Sequence, residues 1–267
     1  MTSDTTTWSI DTAAQVLLDA ETSRTDRHPV SDDWPDLDLA TAYRVQDKLI
    51  ALKEAAGETV VGVKLGLTSR AKQQRMGIDS PLTAWLTDAM ILPAGEPVPM
   101  DDLIHPRIEP EIVFVLARDL TGPGVTAAHA LDAVESVYAG MEVIDSRYID
   151  FKFTLPDVVA DNASSAKFIV GGRRFDPADL DLALEACVLQ VDGQVVATAT
   201  GAAVQGHPAE ALALAANSLA RRGITLRAGW IVLTGGLTDA VFVEPGTQIT
   251  AEFTNLGTIA VAGSQKG

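Results

Sequence analysis

Glu109-Pro110-Glu111 leads directly into Ile112-Val113-Phe114-Val115-Leu116. The run over 111–116 is short, apolar and rich in β-branched residues, which reads as a strand. Comparable runs follow at 137–144 and 167–170, and Asp192-Gly193 has the composition of a tight turn joining 184–191 to 194–200 as a hairpin. Further strands are expected at 230–234, 247–254 and 258–262, broken by one helix over about 208–222 that Gly223 terminates. Upstream the pattern is helical, at 11–24 and at 38–56, where Asp38 is the expected N-cap and Leu39, Tyr43, Leu49 and Ile50 share a face. Between these halves, 60–66 reads as a strand feeding a short helix over 69–77. Helices first and strands later argue for an α+β fold rather than regular βαβ alternation. The expected division is a helical N-terminal region with one strand-helix unit, 1–100, packed intimately on a β-rich core, 101–267, with proline-rich 93–106 as the seam.

With 267 residues the chain has ample length to bury a core, as one large domain or two closely packed halves. Its formal charge of −16, with lysines and arginines scattered, argues against nucleic-acid and anionic-membrane partners. The single Cys187 lies in an apolar stretch and reads as a buried thiol, so nothing calls for an oxidising compartment. Residues 1–10 lack the basic-then-apolar order of a signal peptide, and a cytoplasmic protein is expected.

Strand periodicity gives the chemistry its first candidates. Glu109 and Glu111, two apart, project from one face and can converge on a point. Adjacent buried anions repel, so a cation, a proton or a lysine must neutralise them. Glu142 is the one charge inside the apolar run 137–144. Such an all-oxygen set suits Mg²⁺ or Mn²⁺. The alternative reading puts the two glutamates on a solvated edge strand held by Pro110. Lys64 sits mid-strand in 60–66, as an acid–base group in a cleft or as a snorkelling lysine. Asp161-Asn162-Ala163-Ser164-Ser165 reads first as a capping turn and second as a cradle for a substrate carboxylate. His28, His105, His129 and His207 show no zinc spacing; His105 and His207, each before proline, read as turn residues. Neither a glycine-rich phosphate loop nor a Gly-x-Ser-x-Gly elbow is present, so the kinase, dinucleotide-binding and serine-hydrolase readings lose their main support.

Taken in order, seven runs resemble the 2-keto-4-pentenoate hydratase and 4-oxalocrotonate decarboxylase family, a branch of the fumarylacetoacetate hydrolase superfamily. They are Gly62-Val-Lys-Leu-Gly-Leu-Thr-Ser69, Met76-Gly-Ile-Asp79 with Pro81, His105-Pro-Arg-Ile-Glu-Pro-Glu111, Glu142-Val-Ile-Asp-Ser-Arg147, Val159-Ala-Asp-Asn-Ala-Ser-Ser165, Gly201-Ala-Ala-Val204 and Thr234-Gly-Gly-Leu-Thr238. The resemblance implies a β-stranded core of fumarylacetoacetate-hydrolase type. It also implies Glu109, Glu111 and Glu142 as ligands of Mg²⁺ or Mn²⁺. Lys64 and Asp79 are the implied catalytic pair, with Leu65, Ser165, Gly235, Gly236 and Arg147 as substrate contacts. Ala84-Trp85-Leu86 departs from the family, whose members more often carry a glycine-aromatic pair there.

Residues 144–153, 103–107 and 206–208 look more like the decarboxylase branch. Hydratases more often have tryptophan at Phe151 and asparagine at His207. The implied activity is decarboxylation of 2-oxo-3-hexenedioate, a small 2-oxo dicarboxylate, in meta-cleavage catabolism of aromatic compounds. Alternatives are hydration of 2-hydroxypenta-2,4-dienoate at the same site, and a non-catalytic partner subunit. A homo-oligomer, and a complex with the pathway hydratase, are the implied assemblies.

Overall fold

The structure is a computed structural model that describes residues 8–70, 73, 74, 77, 81–265 and 267. Its helices are α1 (Ile10–Ser23), α2 (Val30–Asp33), α3 (Leu39–Ala55), α4 (Ala127–Asp132), α5 (Leu155–Ala160) and α6 (Pro208–Ala220). The strands are β1 (Val60–Gly66), β2 (Leu82–Thr87), β3 (Arg107–Leu116), β4 (Val134–Ile144), β5 (Ser165–Val170), β6 (Ala186–Val191), β7 (Gln194–Thr200), β8 (Ile231–Leu233), β9 (Val241–Phe242), β10 (Gln248–Phe253) and β11 (Gly257–Ala262). One seven-stranded sheet has the order β2-β1-β8-β3-β4-β5, with β9 beside the start of β3; a four-stranded sheet has the order β11-β10-β6-β7. The arrangement is the expected α+β one, helices first.

Local rules explain most of these elements. Asp38 caps α3 by accepting from the Thr41 N–H at 2.7 Å, and His207 caps α6 through Nδ1, which accepts from Ala209 N–H at 3.0 Å. Asp192 (φ 49°) and Gly193 (φ 76°) supply the two left-handed residues of the β6–β7 turn. Cys187 is buried in the core, as its surroundings predict.

Strand pleat decides where the site lies. Ile108, Ile112, Phe114 and Leu116 of β3, Met141 and Val143 of β4, and Val63 and Leu65 of β1 belong to the main core, which they share with the four-stranded sheet and α6. The alternate positions therefore face the other way. Those positions are Glu109 and Glu111, Glu142, and Lys64. The helices α1, α3 and α5 form a second apolar cluster with Leu82 and Ala84 of β2 and Tyr148.

Several features lie beyond the periodicity reading. β2, α2, α4, α5 and β9 were not expected; α2 and β9 are too short to show a period. The edge-strand reading of Glu109 and Glu111 fails, because β4 flanks all of β3 on one side while β8 and β9 flank its two ends on the other. Pro110 is tolerated because it sits in the gap between β8 and β9, where its carbonyl accepts from Leu237 N–H at 2.9 Å. β1 and β2 lie in the same sheet as β3, so a division at residue 100 runs through continuous pairing. In the proline-rich stretch, Val98 and Met100 are buried in the main core. Asp79 lies outside the described residues, as do 71, 72, 75 and 76 of the helix expected over 69–77, of which Arg70, Gln73 and Gln74 are described and helical.

Candidate active site

Antiparallel register sets Glu109 directly opposite Glu142, and Glu111 opposite Gly140. One oxygen from each of Glu109, Glu111 and Glu142 lies within 4.8 Å of the others. Glu111 and Glu142 are buried, and each leaves one carboxylate oxygen (Glu111 Oε1, Glu142 Oε2) without a hydrogen-bond partner. Burial first, then the charges of Glu142 and Glu109, push the Glu111 carboxyl well above the ordinary carboxylate range. Orphaned buried oxygens on mutually repelling carboxylates form an incomplete arrangement that a hard divalent cation completes.

The glycines after β8 build the other wall. Gly235, at φ 112°, donates its N–H to Glu111 Oε2 at 2.6 Å. A Cβ at Gly236 would lie 2.2 Å from Glu109 Oε2, so the carboxylate occupies the space that a missing side chain leaves.

Lys64 arrives from β1, fully buried, with Nζ 2.9 Å from Glu142 Oε1 and donating to the Ala163 carbonyl at 2.7 Å. It does not snorkel. The Ser165 hydroxyl donates to the same Glu142 oxygen at 3.1 Å. The 161–165 segment is a turn in which Asn162, Ala163 and Ser164 all have positive φ. That unusual backbone aims the Ala163 carbonyl at Lys64.

A cleft of about 170 Å³ opens over this cluster. Lys64, Leu65, Glu109 and Gly236 line it, joined by Thr68, Ile144, Phe151, Phe153 and Ser164. Of the expected substrate contacts, Leu65 and Gly236 reach the cleft. Ser165 and Gly235 instead brace the carboxylates from behind. Arg147 is not brought to the cleft: it is buried, ion-paired to Asp161, and donates to the carbonyls of Asp161 (2.6 Å), Asp145 (2.7 Å) and Ser165 (3.3 Å). Burial works against its charge, and Asp161 and Glu21 more than offset this, holding its pKa up. Phe153 and Ser164 fall within the stretches 144–153 and 161–165 that the sequence singles out, without a role of their own there. Phe151 carries a signal as the position where hydratases more often have tryptophan; in the structure it and Asp150 are consecutive non-glycine residues at positive φ (55° and 56°), conformations held only when surroundings impose them.

The family model for the C-terminal region of fumarylacetoacetate hydrolase matches residues 59–262. The chain is 46% identical to a 4-oxalocrotonate decarboxylase of Pseudomonas sp. (strain CF600), over 92% of this chain and 94% of the relative. It is 39% identical to a 2-hydroxyhexa-2,4-dienoate hydratase of Comamonas testosteroni, over 94% and 96%. Among solved structures, 4-oxalocrotonate decarboxylase from Pseudomonas putida G7 complexed with magnesium and adipate superposes with a TM-score of 0.93 at 41% identity, covering 96% of this chain and 98% of that one.

Proposed function

The chain belongs to the fumarylacetoacetate hydrolase family, in the branch that holds 4-oxalocrotonate decarboxylases and 2-keto-4-pentenoate hydratases, and from that premise we propose that it decarboxylates 2-oxo-3-hexenedioate to 2-hydroxypenta-2,4-dienoate. The observation that carries the reading is the convergence of three carboxylates and one buried lysine at a single cleft, which Glu109 and Lys64 line while Glu111 and Glu142 stand next to them.

Glu109, Glu111 and Glu142 would hold the divalent ion, Mg²⁺ or Mn²⁺, and their oxygen-only donor set fits both. When bound, the ion supplies Lewis-acid polarisation of the substrate's 2-keto oxygen. The substrate's C5–C6 bond breaks, carbon dioxide leaves, and the electron pair passes through the C3=C4 double bond toward the keto oxygen. Lys64 stands where that negative charge develops and offsets it, which stabilises the transition state more than the ground state. Its contact with Glu142 and the Ala163 carbonyl fixes the ammonium in place before substrate arrives. Leu65, Phe151 and Phe153 exclude water around the carbon chain. The oxygen that receives the pair then takes up one proton to give the 2-hydroxy group of the product, and we assign Asp79 to orienting that transfer.

The chain's −16 charge opposes a dianionic substrate, so a locally positive site is required. We further propose a cytoplasmic homo-oligomer that associates with the pathway hydratase. The uncharged, exposed edge strand β7 with Val195 and Val196, and the nearby exposed Leu184, support an assembly surface. Among the described residues no helix is long and apolar enough to cross a membrane.

The test offers metal-loaded protein 2-oxo-3-hexenedioate and 2-hydroxypenta-2,4-dienoate in parallel, with products identified by NMR. Conversion of the first to the second supports the proposal. Consumption of the dienoate alone makes the protein a hydratase, and turnover of neither leaves it a non-catalytic partner.

A further inference from the structure

We propose that Arg107 is the receptor for the second, distal carboxylate of the substrate, and so the residue that selects a dicarboxylate over a monocarboxylate. The inference deepens the decarboxylase reading and rests on it for the identity of the ligand.

The placement follows from register. Arg107 is two residues before Glu109 on β3, so it projects from the same face. It lies opposite Ile144 of β4, as Glu109 lies opposite Glu142, and Ile144 lines the cleft. On its other side it pairs with Phe242 of β9. Two strand residues span about 6.6 Å. A six-carbon dioate separates its carboxyl carbons by roughly 6 Å with carbon–carbon bonds of about 1.5 Å. Arg107, which stacks on cleft-lining Phe151 and pairs with cleft-lining Ile144, is therefore spaced from the carboxylate cluster by about the length of such a chain.

The guanidinium itself is in an unusual state. Its carbon stands 4.1 Å from the centroid of Phe151 and 4.2 Å from that of Phe242, so the guanidinium lies over both phenyl rings. Nε is buried with no hydrogen-bond partner, and no carboxylate pairs with Arg107 among the described residues. Ring quadrupoles attract a cation but do not neutralise it. In a chain carrying sixteen more acidic than basic residues, a guanidinium with no carboxylate partner among the described residues, stacked on a cleft-lining ring, is poised for an anion from outside. Ring contacts leave its N–H groups to be satisfied, and the N–H edge of a guanidinium is what a carboxylate engages bidentately.

Phe151 ties this receptor to the cleft. It lines the cavity, stacks on Arg107, and meets the His105 ring at a centroid distance of 4.8 Å. His105 is fixed in turn through Nε2, 2.8 Å from the Ser146 carbonyl. The left-handed backbone at Asp150 and Phe151 thus serves to bring an aromatic plate against the arginine.

The experiment is calorimetric binding of adipate and of hexanoate, equal in chain length and differing by one carboxylate, to Mg²⁺-loaded protein. Arg107→Met keeps a long stem between the rings and removes the charge; Arg107→Lys keeps the charge and loses the fork. We expect Arg107→Met to lose roughly 10- to 100-fold in adipate affinity with hexanoate unchanged, and Arg107→Lys to fall between. Unchanged hexanoate binding also reports an intact fold; if Arg107→Met does not fold, the same adipate-to-hexanoate ratio is read on Arg107→Lys. Equal loss for both ligands would mean that Arg107 only positions Phe151 and would overturn the assignment, as would no loss for either. Arg107-dependent adipate preference without carbon dioxide release would sink the decarboxylase reading and uphold the receptor. Carbon dioxide release without that preference would do the reverse.

Discussion

Substituting Gly236 by alanine should abolish tight metal binding without unfolding the protein. The new Cβ would stand 2.2 Å from Glu109 Oε2 and 2.4 Å from its Cδ. Ordinary carbon contacts begin near 3.5 Å, so the Glu109 carboxylate must retreat by roughly 1 Å. Metal–ligand distances tolerate only about ±0.2 Å, so a displacement of that size removes Glu109 from the ligand set. Loss of one properly held ligand should weaken Mg²⁺ affinity by roughly 100-fold or more. The atoms displaced belong to the end of a flexible side chain, and Gly236 is not in the left-handed region, so the fold should lose no more than about 1 kcal/mol. Calorimetric Mg²⁺ titration and thermal melting of the metal-free protein read the two quantities separately. Gly172→Ala, where the Cβ meets nothing within 4 Å, is the matched control and should leave both unchanged. Wild-type Mg²⁺ affinity in Gly236→Ala would refute the assignment of Glu109 as a ligand. Unfolding would refute the packing argument.

Substitutions at three further residues carry their own expected outcomes. Lys64→Met should lower turnover by about 100-fold or more while Mg²⁺ still binds. Metal-free Lys64→Met should melt markedly lower, because Glu142 loses its buried counter-ion. Arg147→Met should cost about 3–5 kcal/mol in urea unfolding, since it strands Asp161 in the interior; a loss below 1 kcal/mol would return Arg147 to consideration as a substrate contact. Burial, with a smaller contribution from Glu185, pushes the Cys187 thiol up to about 12 from an ordinary 9.0. The unfolded chain therefore loses this proton first, and the thiol's contribution to stability falls as pH rises from about 9 toward 12. Cys187→Ala should flatten that alkaline slope, measured as denaturation midpoint against pH, and native wild-type protein should resist alkylation at pH 8.

What was legible in the sequence follows from which physical signals are local. Period-two alternation in β1, β3 and β4 is local, and it sends Lys64, Glu109, Glu111 and Glu142 to the face away from the core. The helix ends at Asp38 and Gly223 and the Asp192-Gly193 turn are likewise written in single residues. The convergence of those four side chains is not local. It depends on register between strands far apart in the chain, and resemblance supplied what periodicity does not. Arg147 shows the opposite limit, since a charged residue in a site-like motif can serve an interior ion pair. Phe151 is legible only as a branch difference and Arg107 only as part of the 103–107 and 105–111 runs; their meeting is not, because it needs β9 and the 149–151 turn to bring Phe242 and Phe151 onto the guanidinium.

The central claim is metal-dependent carbon–carbon cleavage at the three-glutamate cluster. Its most direct test strips the protein of metal, adds 2-oxo-3-hexenedioate, and follows carbon dioxide release as Mg²⁺ is titrated back. The account predicts no release from the stripped protein and release equal to substrate consumed once Mg²⁺ saturates, with Glu109→Gln and Glu111→Gln silent throughout. Release that persists after chelation, or in those variants, would contradict it.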